Sequence, residues 1–187
     1  GVRYDDYDAD GHYLYNAGSA YIYKNTAGTW AKVKEITASD RQETDYFGYS
    51  VSISGDTIVV GAYKENPDGI TNAGSAYIFQ KDNGGADNWG EVTKITSNDK
   101  VSNDIFGSSL AIEGDYILVG AAGNDYAISA SGSVYLFLRD AGGTDNWGEI
   151  LKFHATTPVL SGNFGGYSLS ISGNNLAIGS FGENCPA

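Results

Sequence analysis

Phe47-Gly48-Tyr49-Ser50-Val51-Ser52-Ile53-Ser54-Gly55-Asp56-Thr57-Ile58-Val59-Val60-Gly61-Ala62 is the stretch whose reading decides the fold. Ser50 to Ser54 alternates polar and apolar residues, the period-two signature of a half-buried strand. Ser54-Gly55-Asp56 marks a tight turn, because glycine supplies the positive φ that a two-residue hairpin needs. Thr57 to Val60 is β-branched and almost wholly apolar, as expected of a strand buried on both faces. The same text starts again at Phe106-Gly107 and at Phe164-Gly165, 59 and then 58 residues further on. An internal repeat of this length has to be explained before any other feature.

Two further elements keep the same spacing. Gly18-Ser19-Ala20-Tyr21, Gly74-Ser75-Ala76-Tyr77 and Gly132-Ser133-Val134-Tyr135 predict a third strand in each unit. Trp30, Trp89 and Trp147 each lead into a segment with apolar residues among charges: Val33 and Ile36, Val92 and Ile95, Ile150 and Phe153. Those segments read as partly exposed outer strands, whose charges discourage edge-to-edge association. Residues 1–46 therefore read as a half-unit, 47–105 and 106–163 as complete units, and 164–187 as a second half-unit. No segment sustains a helical period.

Four antiparallel strands in each unit of about 60 residues, punctuated by Gly and aromatics, is the sequence form of a β-propeller blade. The expected fold is all-β, with about three blades' worth of strands. A β-sandwich leaves the regular repeat unexplained, and β-solenoid repeats are shorter. Propellers close with about four to eight blades. The segment is thus expected either to belong to a longer propeller or to be completed by a second copy. The fragment reading is favoured, because Gly1 falls in mid-repeat and the single cysteine, Cys185, has no mate in the chain.

Charge and composition exclude several classes. Eleven Lys and Arg stand against 23 Asp and Glu, a formal charge of −12, which repels phosphate backbones and argues against nucleic-acid partners. The longest apolar run, near Ile58 to Tyr63, is strand-sized and far short of the roughly 20 residues of a membrane span, so this segment is not expected to insert into a bilayer. Catalysis has little to stand on. His12 and His154 are the only neutral-pH bases and neither sits in a nucleophile arrangement; no phosphate loop, zinc spacing or dinucleotide motif occurs. The chain is expected not to be an enzyme.

Phe47-Gly48…Gly61-Ala62, Phe106-Gly107…Gly120-Ala121 and Phe164-Gly165…Gly179-Ser180 resemble FG-GAP repeats, the motif of integrin α propellers. The likeness is closer to the FG-GAP repeats of bacterial and protist surface proteins, which share the Gly-Ser-Ala-Tyr and Trp-x-Glu strands. It covers essentially the whole chain. The pattern departs at the third position of Gly-Ala-Pro, which is Tyr63, Ala122 or Phe181, and in the last repeat at Ser180. Independently of the family, the Phe is expected to fill the seam between neighbouring sheets, with the following Gly allowing close backbone approach. The Gly-Ala pair suits a crowded turn near the central axis.

One loop stands apart. Gly1 to Gly18 spans 17 residues, against 13 from Gly61 to Gly74 and 12 from Gly120 to Gly132. It carries Asp6, Asp8, Asp10 and Gly11, the Asp-x-Asp-x-Asp-Gly pattern of calcium loops, with the backbone carbonyl of His12 as a further ligand. Leu14 and Ala17 stand where that pattern places later ligands. In integrin-type repeats the calcium loop lies between Phe-Gly and Gly-Ala, an interval that holds only tight turns here, so those ligands do not carry over. The loop reads either as a calcium site or as a solvated acidic loop. Its tyrosines, Tyr4, Tyr7, Tyr13 and Tyr15, read as a recognition surface or as ordinary loop aromatics. The loops at Glu65, Asn66 and Asp68 and at Asn124 and Asp125 read as solvated.

The resemblance implies an extracellular or cell-surface module for binding, adhesion or structure. Its loops would meet a protein or glycan partner or other copies and segments of the same propeller, with calcium as the expected stiffening ion. A propeller scaffold attached to a secreted enzyme, or an architectural subunit of a surface filament, is the alternative.

Overall fold

The computed structural model describes residues 13–182. Twelve strands fill this span in chain order: β1 (Ala20–Thr26), β2 (Thr29–Ile36), β3 (Phe47–Ser54), β4 (Thr57–Ala62), β5 (Ser75–Gln80) and β6 (Gly90–Ile95), followed by β7 (Phe106–Glu113), β8 (Tyr116–Ala121), β9 (Ser133–Leu138), β10 (Gly148–Phe153), β11 (Leu169–Ser172) and β12 (Asn175–Ile178). One 3-10 turn at Pro67–Gly69 is the only helical piece among the described residues. The strands form antiparallel meanders: β3-β4-β5-β6 and β7-β8-β9-β10 as complete sheets, with β1-β2 and β11-β12 as two-stranded sheets. These are β-propeller blades, all-β as the repeat predicts.

The register follows from the turns. Ser54 pairs with Thr57 across Gly55, whose φ of 57° fits the mirror-image turn that matches strand twist. Gly114 and Gly173 repeat that turn at φ 56° and 54°. Thr57 to Val60 on β4 is buried throughout, as its composition predicts. Neighbouring sheets pack through their inner strands, β7 lying between β3 and β11. The seam between the complete blades is filled by Val59, Ile78, Phe106, Ile112, Ile117 and Val119.

Phe106 sits in that seam, fully buried, edge-on to Tyr135 and Phe137 of its own sheet with ring centroids 5.6 and 5.9 Å away. Phe47 repeats the arrangement on Tyr77 and Phe79. Gly61 and Gly107 bring the two backbones together at the same place, and a side chain on Gly61 would collide with the Gly107 carbonyl. The Gly-Ala pair lies inside β4 and β8, paired on both sides, rather than in a turn. Its glycine serves the seam.

The burial pattern departs from strict repetition or from the sequence expectation in three places. On β3 the apolar members of the alternation face outward: Val51 and Ile53 are each 58% exposed, whereas of their counterparts on β7 Leu110 is half-buried and Ile112 is 7% exposed. β7 is covered by β3 and β4, but the corresponding space beside β1 holds no inner strands among the described residues. Trp30 is exposed while Trp89 and Trp147 are buried on their own blades. Glu65 and Asn124, in loops read as solvated, are buried.

Candidate functional site

Antiparallel pairing brings chosen loops to one end of the blades. Phe47 pairs with Ala62, Ala62 with Ser75, and Ala76 with Ile95, so the start of β3, the β4–β5 loop and the connection after β6 share that end. The opposite end carries the tight β3–β4 turn and the β5–β6 loop.

Beneath the loop end, each complete blade carries a polar clasp. Tyr77 donates its hydroxyl to Asp40 at 2.7 Å, and Lys94 reaches Asp40 at 2.8 Å and Glu65 at 3.0 Å. Ser75 donates to the second Glu65 oxygen at 2.5 Å. In the next blade Tyr135 and Lys152 hold Asp99 at 2.8 and 2.7 Å, and Asn124, in place of Glu65, bridges Ser133 and Asp104. Burial works against ionisation of Asp40, yet the Lys94 and Tyr77 bonds outweigh it and hold the carboxyl below its usual range; Asp99 behaves alike. Asp45 lacks such a partner. Burial pushes it up to about 6, although the Gln42 amide donates to it, with Glu65 and Asp40 adding repulsion. The clasp ties the interblade connection to the following blade, and its charges are consumed by each other. Among the described residues no group of three or more His, Cys, Asp or Glu side chains is placed to hold a metal ion.

Above the clasps the surface is aromatic. Tyr63 packs against Tyr49 at 4.3 Å and Tyr46 at 5.4 Å between ring centroids, and the Lys64 ammonium lies over Tyr46 at 4.8 Å. A bulge at Gly48–Tyr49 turns the Tyr49 ring outward. Tyr167 meets Phe181 edge-on at 5.0 Å, and Tyr126 stacks on His154 at 3.6 Å. Tyr49, Tyr167 and Phe181 are 54%, 64% and 72% exposed. Between the Tyr49–Tyr63 and Tyr167–Phe181 pairs lies the blade with Ser108 and Ala122 in the same places. Aromatic, small, aromatic across three adjacent blades is a surface with relief. Such rings offer large contact area at small entropic cost.

Asp6, Asp8, Asp10 and His12, with Tyr4 and Tyr7, lie outside the described residues. Tyr13 and Tyr15 are exposed, their rings 6.5 Å apart. The sequence reading missed Tyr49, Tyr63, Tyr167 and Phe181 as a group. The signal was present: Tyr63 and Phe181 are the aromatic departures from Gly-Ala-Pro.

The spacing, the seam and the sheet order agree with one family, and the family model of the FG-GAP repeat matches residues 30–79 and 89–137. The chain is an FG-GAP repeat protein. No curated protein matches it significantly. The matched spans include the Phe-Gly and Gly-Ala elements of both complete blades, the residues that build the seam. FG-GAP repeats form propellers and are typical of extracellular or surface proteins. No helix among the described residues is long and apolar enough to cross a membrane.

Proposed function

We propose that this FG-GAP chain is a non-catalytic binding module of an extracellular or cell-surface protein, holding a protein or glycan partner on the loop end of its blades. The observation that carries this reading is the exposed pairing of Tyr49 with Tyr63 and of Tyr167 with Phe181 on either side of Ser108 and Ala122. Large exposed aromatics in clusters are uncommon on surfaces without a partner. They occupy positions where the repeats diverge, while the seam residues keep their identity.

Calcium belongs to the same reading. A cation held by Asp6, Asp8, Asp10 and the His12 carbonyl would order the loop that precedes Tyr13 and Tyr15 and fix their approach to a partner. The calcium, adhesion and surface assignments rest on the loop pattern and the habits of the family.

The test is binding of the labelled 187-residue chain to a glycan array and to intact cell surfaces. Replacing Tyr49, Tyr63, Tyr167 and Phe181 together by alanine is expected to abolish binding and leave the melting transition almost unchanged, since three of the four rings are exposed. Binding that survives the fourfold change would place the partner elsewhere and overturn this reading.

A further inference from the structure

The β3–β4 hairpin holds two phenols in contact. Tyr49 and Tyr63 have ring centroids 4.3 Å apart, with the ring planes at 46°. Two phenyl rings joined by a direct carbon–carbon bond have nearly this separation and this twist, so making that bond asks the rings to turn rather than the backbone to move. The equivalent positions hold Ser108 and Ala122 in the next blade, and Tyr167 with Phe181 after it, where the second ring has no hydroxyl and stands at 88°. Tyr13 and Tyr15 form a looser pair at 6.5 Å. We propose that Tyr49 and Tyr63 are a site of oxidative modification, joined as dityrosine by hydrogen peroxide acting through a haem peroxidase.

The chemistry balances on the two rings. Each phenol gives up an electron and its hydroxyl proton, and the two tyrosyl radicals form a bond between the ring carbons next to their oxygens. Each of those carbons then passes its hydrogen to the oxygen beside it, which restores both aromatic rings and both hydroxyls. The two electrons and two protons released reduce one hydrogen peroxide to two waters, so the chain loses two hydrogens and nothing else. Oxidation starts at Tyr49, the exposed member of the pair. The Lys64 ammonium lies over Tyr46 at 4.8 Å and over Tyr63 at 5.6 Å, and a cation above a ring resists loss of an electron from it. Tyr46 is also the more distant neighbour of Tyr63, at 5.4 Å. Contact between Tyr49 and Tyr63 supplies the effective concentration that favours coupling within the pair over coupling between chains.

Register fixes what the bond does to the blade. Phe47 pairs with Ala62 and Ser54 with Thr57, so Tyr49 and Tyr63 lie toward the open end of the hairpin, away from its tight turn. Joining them closes residues 49–63 into a covalent ring and restricts the unfolded chain as a disulfide does. With a single cysteine, the chain cannot make such a link from its own thiols. The bond needs no partner on the rings, so it stands or falls apart from the binding reading above.

The experiment treats the dilute 187-residue chain with a haem peroxidase and hydrogen peroxide, then cleaves it before aspartate for mass spectrometry. That cleavage separates residues 45–55 from 56–67. The expected product is these two peptides joined, lighter than their sum by two hydrogens and carrying dityrosine fluorescence. Tyr49→Phe and Tyr63→Phe each keep a ring in place and remove the phenol, and each should lower the joined product by ~10-fold or more. Tyr46→Phe should leave it. Absence of the joined peptides from the treated parent chain overturns the proposal, as does dityrosine formed chiefly between copies or at Tyr13 and Tyr15. So does an undiminished product in either the Tyr49 or the Tyr63 variant, or its loss in the Tyr46 variant.

Discussion

Gly61 faces the carbonyl of Gly107 so closely that a Cβ on Gly61 would overlap it, and Gly120 stands in the same relation to Gly165. The seam between blades is a backbone-to-backbone contact sealed by Ser50 and Ser109. Gly61→Ala must push two sheets apart, and the atom it meets is backbone that cannot rotate away. A loss of roughly 1–3 kcal/mol in unfolding free energy is expected, read by denaturant titration. An equal change at Gly28, which has open space around it, should cost no more than its positive φ of 89° imposes.

Lys94 balances two carboxylates, one of them the buried Glu65. Lys94→Met leaves Glu65 charged and unpaired, with an expected loss of about 3 kcal/mol. Adding Glu65→Gln should restore much of it, because the next blade already works with Asn124 there. Urea midpoints of the single and double variants check this, and a double variant no better than the single would refute the pairing argument.

Asp45 acts in the opposite direction to Asp40. Its folded value of about 6 exceeds the ordinary 3.8, so the native state binds this proton more tightly than the unfolded chain does. Its cost is absent below the ordinary value and reaches its full size above about 6, so stability falls as pH rises through that window. Asp45→Asn keeps an acceptor for the Gln42 amide and removes the cost. It should gain roughly 2 kcal/mol at pH 8 and almost nothing at pH 3. Thermal melts across pH settle the sign. For Asp40, held below its usual range, Asp40→Asn should destabilise at pH 8 and matter less as acid protonates the native carboxylate.

Calcium at Asp6, Asp8 and Asp10 predicts a melting temperature that falls on chelation and recovers with added calcium. Asp8→Asn with Asp10→Asn should make the chain indifferent to chelator. An unchanged melt of the parent chain would leave the loop as solvated acid.

The sequence by itself determined the repeat and hence the blades. Period-two alternation, the Ser-Gly-Asp turn and the buried run Thr57 to Val60 are local properties of the chain, and strand number and order follow from them. Tertiary structure decided which face of each strand is covered. Val51 and Ile112 carry the same alternation, yet one is open and the other sealed, because exposure depends on the neighbouring sheet and not on the strand. It also decided that Glu65 is a buried clasp residue, since Lys94 and Ser75 come to it from strands β6 and β5. The aromatic surface belongs to both levels. Tyr63 and Phe181 were visible as departures from the repeat, but only packing β7 between β3 and β11 set them on either side of one small-residue blade.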